Sequence, residues 1–562
     1  MLSQFQHTDT VAAVLRRTQA QFPNETAIYL MHSRQAEQVI TYRELFCGAA
    51  SYARELLQAG IRPGDVCIVI LNHSAELIYA FFGAILAGAV PSIMPFLTEK
   101  LSPIQYRASL IALFEITRPC AVITNCGFTS EVRAARGSGA SPYHILISEN
   151  ISTAIDPDNL PESNSKAEDI VLLQHSSGTT GLQKGIALSH QAIFNQLNSY
   201  SRAIQLTAQD VVVSWLPLYH DMGLIAGFLM PILCRAPLVL MSPFDWVRAP
   251  HKLLQAVTRF RGTLTWLPNF AYNFCAQKIS DRNLVDVDLS SWRAVINCSE
   301  PMHWKSLQMF LERFIPYGIK SEALATSYAM AENVFAATQG GIGSPVVIDA
   351  VNQHTLLNHQ IAEPCDDPTK TVKMVSAGQA IDNTLIRVID SHGIDLPERK
   401  VGEIAIQSNC ILSEYFHRPD LTREAFLDGW YLTGDLGYLA GGELFITGRK
   451  KDLIIVGGKN IYPQDLERLA SEVAGVHPGR VVAFGVNNEQ TGTEDVVIVA
   501  EADHTDPPQF IELGDEIRSK VTNSSDIALR YVYIVHRGWL LKTSSGKIAR
   551  SANREKYLAE KR

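Results

Sequence analysis

The sequence predicts an α/β protein in which a large N-terminal domain, built on a mostly parallel, doubly wound sheet, is followed by a smaller α+β domain. Three features carry this reading. Short apolar runs alternate with helical stretches through most of the chain, several of those runs end in a polar turn, and a second set of helices and strands begins after residue 452.

Val11 to Gln21 has the spacing of an amphipathic helix, and AIYLMHSRQAEQVITY (27–42) reads as a hairpin. Thr41 is placed to cap a helix running to Leu57, after which RPGD (62–65) turns into the strand VCIVIL. Leu77 to Leu97 carries no charge and is long enough to cross a bilayer, but Gly83, Gly88, Pro91 and Pro95 interrupt it. It parses as a buried helix, Ala75 to Leu86, then a turn and the strand VPSIM. No integral membrane segment is therefore expected. Further strands follow at CAVIT (120–124), HILIS (144–148), VLLQ (171–174) and VVVSWLP (211–217), while 133–142 and 156–169 read as surface loops. This order implies the parallel, doubly wound arrangement.

At 562 residues, 46% hydrophobic and 19% charged, the chain has ample apolar material and is too long for one core. A net charge of -8 argues against a nucleic-acid partner held by bulk electrostatics. Nine cysteines without a CxxC pair argue against a disulfide framework or a zinc site, and reduced thiols fit a cytoplasmic protein. The N-terminus has no apolar core behind an early basic cluster, so no secretory signal is expected.

HSSGTTGLQKG (175–185) has the make-up of a phosphate-holding loop. Its glycines let backbone approach an anion, Ser176, Ser177, Thr179 and Thr180 offer hydroxyls, and Lys184 adds a point charge. It is not a Walker loop, because Gly185 follows the lysine; the bland alternative is a turn. Ser189 is placed to cap the helix that follows.

WLPLYHDMGL (215–224), LTWLPNFAYNF (264–274), VINCSEP (295–301) and ATSYAMAENVF (325–335) each put a polar turn after an apolar run. Ends of parallel strands are where such sheets bind ligands. For His220 and Asp221 a helix N-terminus is the competing account. Glu332 has the oxygen chemistry for Mg²⁺, with plain helix-surface placement as the alternative. GWYLTGDLGYL (429–439) and ITGRKKDLIIVGGKNIYPQDLE (446–467) read as paired hairpin-like elements, and Asp435 suits a ribose diol. Residues 449–452 are charged and aperiodic, as a boundary between a 1–448 domain and a 453–562 domain would be. The last part reads helix YPQDLERLASEV, strands RVVAFGV and DVVIVAEA, helix FIELGDEIRSKV, strand YVYIVH, then LLKTSSGKIARSANREKYL, either a solvated basic tail or a mobile reach into a site.

HSSGTTGLQKG, WLPLYHDMGL, SYAMAE, YLTGD, GRKKDLIIVGGKN and KTSSGK, in this order, resemble the core motifs of the adenylate-forming superfamily of acyl-CoA synthetases, luciferases and adenylation domains. The resemblance covers essentially the whole chain, and its fold adds a small barrel-like part to the N-terminal domain. Within the superfamily the chain is most similar to the fatty acyl-AMP ligases, on WLPLYHDMGL, PNFAY, CSEP, YPQD and the ending SGKIARSANREKYL. The stretch VVIDAVNQHTLLNHQIAEPCDDPTKTVKMVSAGQAI also looks like the insertion that separates them from CoA-using relatives, where it is thought to hinder domain rotation.

The resemblance implies activation of a fatty or related carboxylic acid with ATP and Mg²⁺ to acyl-AMP, then transfer to the phosphopantetheine thiol of an acyl carrier protein. It implies that Ser176, Ser177, Gly178, Thr179, Thr180, Gly181 and Lys184 hold phosphates, with Glu332 and Thr180 at the metal. Ser299, Glu300, Pro301 and Tyr328 would border the adenine, while Asp435 and Arg449 would grip the ribose. His220, Met222, Asn269 and Tyr272 would line the acyl channel, His220 being counted with Glu332 and Lys547 as catalytic. Lys547 would bridge the α-phosphate and the carboxylate, with Lys451 as the hinge. Gln183, Ala329, Leu541 and Glu414 depart from the family's usual proline, glycine, proline and glycine, and none removes a charge the chemistry needs. Two alternatives stand beside this expectation: an acyl-CoA synthetase, and an idle nucleotide-binding scaffold.

Overall fold

The computed structural model describes every residue except 1–4, 33–35, 97–102, 136–142, 153–159, 176–183, 457–458, 489–492, 503–506, 525–528, 544–545 and 562. Contacts divide the chain into two compact units. One is Met1–Val346 with Gly378–Leu385 and Gln407–Phe426; the other is Val347–Ala377 with Ile386–Ile406 and Leu427–Arg562.

The first unit's principal helices are α1 (Val11–Gln21), α2 (Tyr42–Gln58), α3 (Ala75–Leu86), α4 (His190–Ala203), α5 (Asn269–Lys278) and α6 (Trp304–Phe314). Its strands are β1 (Thr26–Met31), β2 (Gln38–Thr41), β3 (Val66–Ile70), β4 (Val90–Ile93), β5 (Ala121–Thr124), β6 (His144–Ile147), β7 (Ile170–His175), β8 (Gly185–Ser189), β9 (Val212–Ser214), β10 (Leu238–Met241), β11 (Leu264–Leu267), β12 (Ala294–Asn297) and β13 (Leu324–Thr326). One seven-stranded sheet has the order β13-β12-β11-β9-β10-β1-β2 and is parallel except for the β1–β2 hairpin at its edge. A second, all-parallel sheet has the order β4-β3-β5-β6. These are the predicted doubly wound sheets.

VLLQ departs from the parallel series expected for it. β7 pairs antiparallel with β8, and the strand Glu414–Tyr415 pairs antiparallel with β8 on its other side. The link 176–184 is too short for the crossover that a parallel pairing needs.

Local chemistry sets the helix starts. Thr41 and Glu44 form the reciprocal cap of α2, and the Ser189 side chain accepts from Ala192 N at 3.1 Å to cap α4. Such caps contribute about 1 kcal/mol each. α2 and α3 pack closely because Gly83 has no side chain, since a Cβ there would fall 2.5 Å from Tyr52 Cβ. α3 is the predicted buried helix, and among the described residues no helix is long and apolar enough to cross a membrane. All nine cysteines are free thiols.

The second unit contains β14 (Ile348–Asn352), α7 (Gln353–His359) and β15 (Thr371–Val375), then β16 (Gly402–Ser408), β17 (Trp430–Ala440) and β18 (Glu443–Arg449). Its later part holds β19 (Ile454–Val456), β20 (Lys459–Ile461), α8 (Pro463–Ser471), β21 (Val476–Asn488), β22 (Thr493–Ala502), α9 (Pro507–Ser524), β23 (Tyr531–His536) and α10 (Arg550–Lys561). The insertion-like stretch is the β14–β15 hairpin with α7 between its strands. Val351 and Leu356 share a core with Leu436, Tyr438, Phe445 and Tyr462. Tyr438 Oη donates to Asp349 at 2.9 Å, and Arg399 pairs with the same carboxylate at 3.0 Å. The final part is the expected α+β arrangement, with β22 between antiparallel β21 and parallel β23.

Candidate active site

Four of the motifs singled out in the sequence follow the C-terminal ends of four adjacent parallel strands, β9, β11, β12 and β13. This is where a parallel sheet presents its loops to a ligand.

After β9, His220 Nδ1 lies 2.5 Å from Asp221 Oδ1, without the alignment of a hydrogen bond. Asp221 Oδ1 accepts from Met222 N at 2.8 Å, and Met222–Leu229 winds as a π-helix, a conformation that recurs at functional sites. Beside this segment Trp215 stacks on Trp246 with ring centroids 3.6 Å apart, and Phe270 meets both edge-on. Cys298 Sγ lies 2.9 Å from Met222 Sδ, so the turn after β12 touches the turn after β9.

That turn also reaches the motif after β11. Glu300 Oε2 accepts from Phe270 N at 2.9 Å, placing a carboxylate at the N-terminus of α5, where the helix dipole favours it. Asn269 Oδ1 accepts from Asn297 Nδ2 at 3.1 Å and His303 N at 3.2 Å, and Asn269 Nδ2 donates to Ser306 Oγ at 3.2 Å. Ser299 holds φ +67°, a left-handed conformation uncommon outside glycine and often tied to function. Pro301 is exposed. Tyr272 lies in the core, wholly buried, with its hydroxyl donating to Val295 O at 2.9 Å. These hydrogen bonds of Asn269 and Tyr272, the two residues expected on the acyl channel, also tie α5 to β12 and α6.

After β13, Tyr328 is buried, and its N–H donates to Thr338 Oγ1 at 2.9 Å. Glu332 Oε1 accepts from the Tyr415 hydroxyl at 3.0 Å, and Glu332 O accepts from Leu412 N at 2.7 Å. Lys184 Nζ stands 4.5 Å from the Tyr415 ring centroid. One buried tyrosine therefore contacts both the cation that ends the phosphate-loop motif and the carboxylate expected at the metal. Ser176, Ser177, Gly178, Thr179, Thr180 and Gly181 lie outside the described residues. His175, which precedes them, is held neutral by burial, with its pKa pushed down to about 4.

In the second unit, Asp435 and Arg449 are opposed in register on β17 and β18, with Arg449 Nε 2.9 Å from Asp435 Oδ1. Thr433 Oγ1 donates to Ile404 O at 2.7 Å and accepts from Asp435 N at 3.1 Å. Gly434, inside β17 at φ +69°, lies where the pairing with β16 shifts register. Lys450 Nζ pairs with Glu403 at 2.7 Å and Asp452 with Arg550 at 2.5 Å, so the exposed Lys451 stands between two anchored neighbours. Lys547 directly precedes Ile548, which forms an antiparallel bridge with Lys542.

Tyr415, Glu403 and Arg550 were not singled out in the sequence. Tyr415 carried a signal in the glutamate that precedes it in place of the usual glycine; Glu403 and Arg550 act through partners distant in the chain, which no local pattern announces. Among the described residues, no three His, Cys, Asp or Glu side chains are grouped to hold a metal. Magnesium on a nucleotide takes most of its oxygens from phosphate and water, so a single carboxylate such as Glu332 fits it.

The AMP-binding enzyme family model matches residues 15–416. A putative acyl-CoA synthetase of Caulobacter vibrioides is 30% identical, over 95% of this chain and 93% of that protein. The long-chain-fatty-acid–AMP ligase FadD26 of Mycobacterium bovis is 29% identical, over 98% of this chain and 97% of its own. The medium-chain-fatty-acid–[acyl-carrier-protein] ligase JamA of Moorena producens is 28% identical, over 96% of this chain and 94% of its own. Among solved structures, one from a study of fatty acyl-adenylate ligases of E. coli and L. pneumophila superposes with a TM-score of 0.90, at 27% identity and over 98% of both chains.

Proposed function

We propose, since the chain belongs to the AMP-binding enzyme family, that it activates a fatty acid with ATP to the acyl-adenylate and passes the acyl group to the phosphopantetheine thiol of a carrier protein. The observation that carries this reading is the pairing of Lys184 and Glu332 across Tyr415. Two anions must meet in the first step, and the site needs both a cation for phosphate and a carboxylate for the metal that accompanies it.

A carboxylate oxygen of the acid attacks the α-phosphorus of ATP in line; the new P–O bond forms as the bond to the β-phosphate breaks, and pyrophosphate leaves. Lys547 neutralises charge between the two reacting anions, and Lys184, with the glycine-rich residues before it, binds the departing phosphates. Magnesium bound to the nucleotide would be held by Glu332, with Thr180 beside it, and would screen charge on the pyrophosphate. Asp435 accepts from the ribose hydroxyls, with Arg449 holding its carboxylate in place. Ser299, Glu300, Pro301 and Tyr328 border the base, and the apolar surroundings of His220 and Met222 take the chain. In the second step the thiol sulfur attacks the acyl carbonyl carbon and AMP leaves.

Rotation about Lys451 separates the two steps, taking the 453–562 domain and Lys547 away. The anchoring of Lys450 to Glu403 and of Asp452 to Arg550 supports that pivot, because each neighbour is already fixed. Free thiols are consistent with a cytoplasmic setting. The relative named as a putative acyl-CoA synthetase favours a second reading in which CoA is the acceptor. Incubation with a panel of carboxylates, ATP and Mg²⁺, with product masses read with and without CoA, separates the two readings.

A further inference from the structure

Lys547 reaches the reacting atoms, on the reading above, from a backbone whose described residues, Leu541–Thr543 and Gly546–Ala549, are tied to one another by hydrogen bonds. Thr543 N donates to Lys547 O at 2.7 Å, Gly546 N to Thr543 O at 2.9 Å, and Lys547 N to Thr543 Oγ1 at 3.2 Å. Gly546 takes φ +88°, which a residue with a Cβ rarely adopts. A lysine side chain has four rotatable bonds, so placing its ammonium depends on first fixing the backbone that carries it.

α10 fixes that backbone at its base. Ala549 N donates to Leu541 O at 3.0 Å. Asn553 is wholly buried and commits its whole amide to the same place: Oδ1 accepts from Leu541 N at 2.8 Å, while Nδ2 donates to Leu541 O at 2.9 Å and to Ala549 O at 2.8 Å. Upstream, the wholly buried Glu501 accepts from Gly538 N at 3.0 Å and Leu540 N at 2.8 Å. One turn before Asn553, Arg550 reaches the other way. Its guanidinium pairs with Asp452 at 2.5 Å and Glu467 at 2.8 Å, and Nε donates to Ala483 O at 2.9 Å.

We propose that α10 is a clamp that makes the Lys547 backbone and the hinge residue Asp452 one rigid piece, with Asn553 and Arg550 as positioning residues for Lys547. The proposal rests on the reading of Lys547 given above. Both residues lie on one helix a turn apart, one facing the catalytic lysine's backbone and the other the hinge, so a rotation at Lys451 carries Lys547 without slack. Asn553 suits the task because one amide offers two donors and an acceptor to three backbone groups. Aspartate, with the same shape, would set a carboxylate against two carbonyl oxygens.

Asn553→Asp and Arg550→Lys test this in the full chain, with ATP-dependent pyrophosphate release measured separately from thiol capture of supplied acyl-AMP. Asn553→Asp is expected to slow adenylation by about ten- to a hundredfold while thiol capture stays within about twofold, because only adenylation needs Lys547 in register. Arg550→Lys should act in the same direction and less strongly. Equal loss in both half-reactions would overturn the proposal. Hydrogen exchange on the unmodified protein tests the clamp even if a variant fails to fold. The amides of Leu541, Gly546 and Ala549 should exchange as slowly as those inside α10, and fast exchange there would overturn the clamp. Retention of pyrophosphate release by Lys547→Ala would instead overturn the reading of Lys547, leaving the exchange result to judge the clamp.

Discussion

The Tyr415 hydroxyl donates to Glu332 Oε1 at 3.0 Å, while the ring of the same tyrosine lies 4.5 Å beneath the Lys184 ammonium. Tyr415 is 3% exposed and is fixed in register opposite Ile186 on β8. Removing only the hydroxyl tests its hold on Glu332. Tyr415→Phe keeps the ring contact and loses one hydrogen bond to a carboxylate, worth about 1.5–3 kcal/mol. The expected outcome is a fall of roughly ten- to a hundredfold in kcat/KM for ATP, and Tyr415→Leu, which also removes the ring, should fall further. Unchanged kinetics in Tyr415→Phe would mean that the hydroxyl does not position Glu332.

Lys547→Ala should abolish adenylate formation, losing a hundredfold or more in rate, as removal of one transition-state charge partner does. Reaction of supplied acyl-AMP with its thiol should be largely retained. The two rates, measured separately by pyrophosphate release and thiol capture, would have to fall together for the domain rotation to be wrong.

Asp435→Asn should raise KM for ATP by about tenfold, through loss of a charged acceptor for the ribose hydroxyls. Arg449 is 54% exposed, so the Asp435–Arg449 pair contributes no more than about 1 kcal/mol to stability. The melting temperature should therefore move by only a few degrees. A large drop in melting temperature with unchanged KM would assign Asp435 to the fold alone.

Acid should destabilise the first unit through buried histidines. His190 is 3% exposed, its Nδ1 accepts from Val11 N at 3.0 Å, and burial pushes its pKa from 6.5 down to about 4, as it does for His175. Between those values the unfolded chain holds protons that the folded chain does not, so stability falls as pH falls through that window and levels off below about 4. Each such histidine contributes a slope of about 1.4 kcal/mol per pH unit. Denaturant titrations from pH 7 to 4 should show this slope, and His190→Asn, which keeps an acceptor for Val11, should reduce it by one proton. A slope equal to that of the unmodified chain would contradict the assignment.

The amphipathic α1, the buried α3 and the Ser189 cap of α4 were legible because each rests on side chains within a few residues of one another. The β1–β10 pairing was not, because its partners lie some two hundred residues apart and only tertiary packing selects them. β7 read as one more parallel strand because a short apolar run looks alike in either orientation. At the site, Asp435 and Arg449 were named together and meet in register. The partners of Asn269 and Glu300 were hidden, since their hydrogen bonds reach across strand ends.

The most direct test of the proposed reaction is identification by mass of the products formed from a panel of carboxylates with ATP and Mg²⁺, with CoA present or absent. Acyl-AMP accumulating to the same extent in both conditions is the expected result, and it directs the search for the acceptor to a carrier protein. Acyl-CoA formed at a catalytic rate would contradict it.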